Sequence, residues 1–325
     1  MKATSPADAQ WQATVVRRLQ HRGHGILTLE LAAAGGGTLL PFAAGAHVDL
    51  RLDDHGTRSY SLINPSPAPT HYELGVLHVV HGRGGSHHLH TRVREGDHLL
   101  VSAPHNAFAL QGGAAPVVLI AGGIGITPLL GMARTLAHNG RAAHLYYAAR
   151  SRAQAVYLSD AQALGLHVTA LFDDERGGPP DFTTLLPAHP RHTHCYCCGP
   201  PSMLDAFLEA CTRLGFERAY VQRFEVPIAA RLHGAAVRHT RVVLARSARV
   251  LDYDGQGSLL DMLLRHGIAV PHGCRQGVCG SCAVRVLRGR VDHRDALLSP
   301  HERGQGRLML PCVSGCLDAV LELDL

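Results

Sequence analysis

The chain has 325 residues, a hydrophobic fraction of 46% and a formal net charge of +5. That length exceeds one ordinary core and predicts two or three domains, while the lack of any run of roughly 18 apolar residues excludes a membrane-spanning helix. The modest charge, with no basic run interleaved with aromatics, argues against a nucleic-acid binder, and Lys2 as the only lysine rules out lysine Schiff-base chemistry in the body of the protein and leaves anion sites to arginine and backbone N–H groups.

The opening MKATSPADAQ lacks the apolar core of a secretory signal. Nine cysteines, odd in number and unevenly placed, do not make a disulfide framework. A cytoplasmic location is expected. The 24 histidines are scattered along the chain and read as solvated or locally satisfied side chains.

Between residues 12 and 110, short apolar runs such as GILTLEL, AHVDLRL, RSYSLIN and YELGVLHVV alternate with Gly, Pro, Asp and Asn. That spacing predicts an antiparallel barrel or sandwich, assigned to 1–110. Only GGSHHLHTRV hints at a helix there. From about residue 112 the pattern changes. APVVLIAGG is a continuous apolar run, as in a strand buried on both faces. A helix follows in TPLLGMARTLAHNG, with Thr127 as expected N-cap, Pro128 at the first helical position and Gly140 as the stop. Strand and helix then alternate through AAHLYYAAR, SDAQALG, LHVTALFDD, HTHCYCCG and PPSMLDAFLEACTRLG, predicting a doubly wound α/β domain over 111–226. Residues 227–240 read as a linker. Residues 241–325 read as a small mixed sheet with one helix, an α+β unit.

That last unit carries PHGCRQGVCGSCAVRV, in which Cys274, Cys279 and Cys282 follow a C-x4-C-x2-C spacing. Structural zinc favours paired C-x2-C motifs, and a redox dithiol leaves Cys274 unexplained. The spacing, with Cys312 as a distant fourth ligand, is that of a plant-type [2Fe–2S] site. Cys316 is the other candidate for the fourth position. Zinc and buried thiols stay open as alternatives. Gly277 and Gly280 would let the loop take positive φ and point N–H groups at anionic sulfur.

In AGGIGITPLL, the glycines Gly123 and Gly125 with Thr127 make a turn from strand to helix suited to a pyrophosphate, or simply a tight turn. YCCGPPSML repeats the arrangement, with Cys198 at a strand tip before Gly199. Cys195, Cys197 and Cys198 cannot converge on one metal, because alternate strand residues face opposite ways. In RSYS and GRGGS, Arg58, Tyr60, Ser61, Arg83, Gly84, Gly85 and Ser86 offer cations and donors for a phosphate. A solvated arginine beside a turn is the plainer reading of each motif.

In the order RSYS, GRGGS, GGIGITP, CGPPSM and a C-terminal ferredoxin-like unit, the whole chain resembles the phthalate dioxygenase reductase family, and within it the vanillate O-demethylase reductases. The resemblance implies a flavin-binding antiparallel barrel, an NAD domain and a β-grasp ferredoxin. It implies FMN held by Arg58, Tyr60 and Ser61, with Ser61 at its reactive edge and its phosphate on Arg83, Gly84, Gly85 and Ser86. It implies NADH over Gly123, Gly125 and Thr127, with Cys198 and Gly199 near the nicotinamide, and a cluster on Cys274, Cys279, Cys282 and Cys312. QRF at 222–224 resembles a family E-R-F, so Phe224 would cover the flavin and Gln222 stands in place of the glutamate. FAD in place of FMN stays open, as does NADPH, given Arg150, Ser151 and Arg152 after the second α/β strand. The implied activity is electron transfer from NADH, through flavin and cluster, to a Rieske-type oxygenase. Twelve arginines against nine carboxylates over 238–325 lead to an expected acidic docking patch on that partner. A reductase for another acceptor and a non-enzymatic redox sensor are the competing readings.

Overall fold

The apolar runs before residue 110 form β1 (Trp11–Gly23), β2 (Ile26–Ala33), β3 (His47–Arg51), β4 (Thr57–Ser61) and β5 (His71–Leu77), then a short helix α1 (Gly85–Thr91) and β6 (His98–Ser102). The computed structural model describes residues 11–52, 55–224 and 239–325. All six strands pair antiparallel in the order β4-β3-β6-β1-β2-β5. The ends meet just beyond β4, where Leu62 bridges Leu74 and the Ile63 N–H donates to the Glu73 carbonyl at 2.9 Å. The sheet therefore closes into a barrel. Leu27, Leu29, Leu31, Val48, Leu50, Leu74 and Val76 fill it, and removing them from water supplies the main driving force for closure.

The α/β part contains β7 (Val117–Gly122), α2 (Ile126–His138), β8 (Ala143–Ala149), α3 (Leu158–Gln162), β9 (His167–Phe172), α4 (Asp173–Arg176), α5 (Phe182–Leu185), β10 (His194–Cys198), α6 (Pro201–Leu214) and β11 (Ala219–Gln222). The sheet is parallel throughout, in the order β11-β10-β7-β8-β9. β7 is buried along its whole length, because apolar clusters cover both faces of the sheet. One sequence expectation needs correction. Thr127 is not the N-cap of α2: a 3-10 turn over Gly123–Gly125 runs straight into the helix. Thr127 sits in the first turn and donates its hydroxyl to the Ile124 carbonyl at 3.0 Å. Pro128 is therefore the third helical residue, still within the turn whose N–H groups have no intrahelical acceptor.

Barrel and α/β sheet belong to one compact unit, Gln10–Gln222. Polar links join them. Thr28 and Tyr157 share a hydrogen bond of 2.9 Å, Arg22 grips Asp160 with bonds of 3.1 and 2.8 Å, and Arg134 donates to Glu73 at 2.6 Å.

Arg223–Leu325 belongs to the second unit. The expected linker over 227–240 lies outside the described residues except for its last two. The unit consists of β12 (Thr240–Leu244), β13 (Arg249–Tyr253), α7 (Leu259–Arg265), β14 (Val284–Arg288), β15 (Val291–Asp292), α8 (Pro300–Gln305), β16 (Leu308–Met309), β17 (Gly315–Cys316) and β18 (Val320–Leu323). The main sheet runs β13-β12-β18-β14-β16, with β12 and β18 parallel at its centre. Ser258 caps α7 by accepting the Asp261 N–H at 3.0 Å. Leu259, Leu260, Met262 and Leu263 bury the helix against the sheet. This mixed sheet with one packed helix is the β-grasp arrangement. Among the described residues no helix is long and apolar enough to cross a membrane.

Candidate functional site

The α/β strand order reverses between β7 and β10, and ligands of such sheets bind in the crevice at that switch point. Both glycine motifs lie there and touch. A Cβ on Gly125 would stand 2.1 Å from the Cys198 carbonyl oxygen and 2.7 Å from the Gly199 nitrogen. One on Gly122 would meet Met203 Sδ at 2.4 Å. The two loops therefore approach backbone to backbone, which only glycine permits. Gly123 differs: its φ is 53° and nothing lies within 4 Å of its missing side chain, so its face is open. A pyridine nucleotide fits this cradle. Gln222 stands at the same edge, paired in register with Cys198, and its side-chain oxygen is buried without a hydrogen-bond partner among the described residues.

Cys198 is fully buried and its thiol is pushed well up by burial, so it does not ionise to a nucleophile. It faces the cluster that holds Tyr147 and Tyr196, whereas Cys195 and Cys197 face the other layer. The strand alternation thus separates them in space.

On the barrel, β4 carries Arg58, Tyr60 and Ser61. Arg58 donates to the Thr57 carbonyl at 2.9 Å and to the Arg83 carbonyl at 2.8 Å. Burial, then the charge of Arg83, lower its pKa. A Cβ on Gly85 would lie 2.6 Å from Arg58 Cγ, and Gly84 has φ 83°, so glycines let the loop close over the guanidinium. Ser86 accepts the Val79 N–H at 3.0 Å. Two arginines drawn together beside a loop of small residues suit a phosphate. Tyr60 is held neutral, its pKa pushed up to about 12 by burial against the opposing pull of Arg58 and Arg83. Ser61 is 4% exposed and its hydroxyl has no partner among the described residues, an orphaned group beside the site expected for the reactive edge of a flavin. These features fit a flavin with its phosphate at the arginine end.

The two sites adjoin. A Cβ on Gly75 of β5 would meet Thr127 Cγ2 at 2.6 Å, and one on Gly131 of α2 would meet the Leu62 carbonyl at 3.0 Å. The residue after Ser61 thus packs on the helix that starts at the nucleotide crevice. Phe224, exposed, belongs to the other unit.

In the C-terminal unit the four predicted cysteines are buried. Among the described residues no three ligating side chains converge on one point. The thiols form two pairs instead: Cys274 with Cys279, and Cys282 with Cys312, each pair within hydrogen-bonding reach. Two adjacent thiol pairs are the donor set of a binuclear centre rather than of one tetrahedral ion. The loop aims donors inward: the Gln276 N–H reaches Cys274 Sγ at 3.3 Å, and the Gly277 N–H is directed at Cys312. Gly277 has φ 70° and Gly280 φ 80°. A side chain on Gly277 would strike Val313 at 2.6 Å. These residues fit a [2Fe–2S] centre. Cys316 lies apart, acted on by Asp318 and Arg290.

Sequence reasoning missed two features here. One is His47, buried opposite Ser61, whose only signal was its place on the polar side of an alternating strand, HVDLR. The other is histidine clustering. Spread along the sequence, they gather in space: His144 stacks on His167 at 4.0 Å, and His78 on His90 at 5.0 Å.

A nucleotide crevice joined to a flavin-type barrel, followed by a β-grasp cysteine cage, defines an electron-transfer oxidoreductase. Residues 119–209 match the oxidoreductase NAD-binding domain, and residues 242–316 match the 2Fe-2S iron-sulfur cluster binding domain. The chain is 44% identical to the phenoxybenzoate dioxygenase subunit beta of Ectopseudomonas oleovorans over 92% of its own length and 93% of that protein. It is 37% identical to a vanillate O-demethylase oxidoreductase of a Pseudomonas species over 92% of its length and 95% of that protein. Phthalate dioxygenase reductase superposes with a TM-score of 0.71 at 30% identity, covering 99% of this chain and 100% of that one. An intact type IV self-sufficient cytochrome P450 monooxygenase superposes at 0.85 and 33% identity over 97% of this chain, which spans 41% of that longer protein. The chain belongs to the phthalate dioxygenase reductase family, the reductase components of oxygenase systems.

Proposed function

We propose that the Gln10–Gln222 unit takes electrons from NADH onto FMN, and that the C-terminal unit delivers them through a [2Fe–2S] centre to a Rieske-type oxygenase in the cytoplasm. The observation that carries this is the pairing of four buried cysteines downstream of a nucleotide crevice that adjoins a flavin-type strand. When bound, the flavin accepts a hydride and the iron–sulfur centre passes electrons on singly, a two-to-one conversion.

The residues of the chain position these groups. Arg58 and Arg83 neutralise the phosphate, with Gly84, Gly85 and Ser86 allowing close approach. Tyr60 offers a neutral ring face, and Ser61 a hydroxyl at the reactive edge. Gly123 leaves room for the nicotinamide nucleotide, and Gly125 locks its loop to Cys198 and Gly199. Thr127 ties the turn to α2. Cys198 acts as a neutral thiol in contact with the nicotinamide site. NADH is favoured over NADPH because Arg152, the cation best placed for a 2′-phosphate, pairs with Glu175 at 3.2 Å and stacks on Phe172 at 4.7 Å.

The acidic docking patch expected on the partner rests on fewer charges than the sequence count implies. Arg275 pairs with Asp261 at 3.1 Å and Arg290 with Asp318 at 2.8 Å. Of the four arginines near the cysteines in sequence, that leaves Arg285 and Arg288 to carry the field. A haem monooxygenase is the second acceptor class, supported by the likeness to a self-sufficient P450. Flavin extraction and chromatography test the core of the reading. FMN, bleached by NADH before the iron–sulfur bands fade, is the expected result. Recovered FAD overturns the FMN assignment, and an absent cluster overturns the exit route.

A further inference from the structure

His47 and Ser61 are register partners across the β3–β4 pairing. Both are buried, His47 to 3% exposure. Among the described residues, neither ring nitrogen of His47 has a hydrogen-bond partner, and neither does the Ser61 hydroxyl. A buried polar group left without a hydrogen bond keeps its full desolvation cost, so a stable barrel has no use for this histidine as it stands. Val48 and Leu50 point into the barrel core. His47 and Asp49 therefore project from the other face of β3, on the side of Ser59 and Ser61. The neighbouring polar pair is satisfied: Ser59 donates to Asp49 at 2.5 Å. The pair with open valence is the one at the predicted reactive edge.

A route outward exists. The His105 ring lies 5.8 Å from that of His47, centroid to centroid, and two reciprocal backbone bonds of 2.8 Å hold the residues together. His105 is only half-buried. The sequence Ser61, His47, His105 thus runs from buried to partly solvated.

We propose that Ser61 and His47 form the exit path for the proton released as electrons leave the flavin, with His105 passing it to solvent. The proposal rests on the flavin reading above. A hydride brings two electrons and one proton from nicotinamide C4 to flavin N5. The iron–sulfur centre takes electrons only, one at a time. The N5–H bond must therefore break with its electron pair left behind for delivery, and the proton must leave separately. It passes to Ser61 Oγ as that hydroxyl gives its own proton to one His47 nitrogen. The other His47 nitrogen releases a proton toward His105, and the ring ends neutral. The net change is NADH to NAD⁺, two electrons to the acceptor and one proton to water. Side chains directly opposite on paired strands have Cβ atoms about 4.5–5.5 Å apart. One bridging water or a turn of the imidazole completes the contact.

The test uses the holoprotein labelled with 15N-histidine, and the variants His47→Gln, His47→Asn and Ser61→Ala. On reduction of the flavin, the His47 ring resonances, assigned by their loss in His47→Gln, move in the wild type and stay fixed in Ser61→Ala. In stopped flow, His47→Gln leaves flavin bleaching by NADH within about twofold and slows the following cluster reduction by on the order of 100-fold, with an altered solvent deuterium effect. A histidine that only packs would lower the melting temperature and leave these readouts alone. If a variant fails to retain flavin, the wild-type resonances still decide. His47 shifts indifferent to reduction, or wild-type cluster reduction in a flavin-loaded His47→Gln, overturn the path while the flavin reading survives. A protein that binds no flavin, or whose flavin NADH does not reduce, overturns both.

Discussion

Gly125→Ala is the sharpest perturbation of the nucleotide crevice. The new methyl would sit 2.1 Å from the Cys198 carbonyl oxygen, 2.4 Å from its carbon and 2.7 Å from the Gly199 nitrogen. All three are backbone atoms, so no rotamer change relieves the overlap. Either the end of β10 or the 3-10 turn must shift by about an ångström. Overpacking of this kind costs about 1–3 kcal/mol. In a unit of this size that corresponds to a fall in melting temperature of roughly 3–10 °C. The same shift opens the two loops, and a loss of about 2 kcal/mol in nucleotide binding raises the Kd for NADH roughly 30-fold. Gly123→Ala is the matched control. Nothing lies within 4 Å of its Cβ position, and its φ of 53° adds only about 1–2 kcal/mol of strain. Its methyl would occupy the nucleotide's space rather than the protein's. Calorimetry and equilibrium titration with NADH follow both: each substitution lowers stability, Gly125→Ala through steric overlap with β10 and Gly123→Ala through backbone strain, and each weakens NADH binding. A Gly125→Ala protein with wild-type melting temperature and wild-type NADH affinity would refute the loop contact. Full affinity in Gly123→Ala would move the nucleotide off this turn.

Cys312→Ser is expected to abolish the cluster's visible and EPR signals while NADH still reduces the flavin; Cys316→Ser keeps both, and the reverse pattern exchanges the two ligands. Glu175→Gln frees Arg152 from an exposed pair worth about 0.2–1 kcal/mol, so kcat/KM for NADPH should rise up to about fivefold with that for NADH nearly unchanged. Burial, then the neighbouring His167 and His189, depress the His144 pKa to about 4. A histidine with a lowered folded pKa contributes stability that is intact above its ordinary value of 6.5 and lost as pH falls toward 4, so the melting temperature should drop across that window and His144→Gln should flatten the slope. Reduction of the oxygenase partner should slow as salt rises, and more weakly so in Arg285→Ala with Arg288→Ala; rates indifferent to ionic strength would remove the electrostatic docking.

What could be read in advance was what local spacing controls. The C-x4-C-x2-C loop carries its own geometry, since positive φ at Gly277 and Gly280 is a property of the loop. The β/α alternation after residue 112 is likewise a matter of hydrophobic period. The start of α2 was misread because Thr127 and Pro128 mimic a capped start, whereas the 3-10 turn over Gly123–Gly125 needs no side-chain cap. Long-range register was out of reach. His144 meets His167 only because β8 and β9 pair in parallel. Arg22 meets Asp160 across 138 positions. The burial of His47 needed the β3–β4 register and the His105 segment together.

Acceptor choice and electron delivery fall on different residues of the C-terminal unit. The cage is buried, and its demands on the loop are steric and covalent, so no partner reads it directly. The relatives named for a dioxygenase and for an O-demethylase match this chain at 44% and 37% identity over nearly its full length, so a common reductase body serves oxygenases of different name. Discrimination must then come from exposed side chains close enough to the cage for an electron to cross. β14 starts two residues after Cys282, within about 7 Å of it at some 3.3 Å per residue. It buries Val284 and Val286 and exposes Arg285, Leu287 and Arg288. Leu287 is 46% exposed, an apolar side chain flanked by cations. Under the proposed docking, that strip would combine a charge to steer an acidic partner with an apolar contact to hold it.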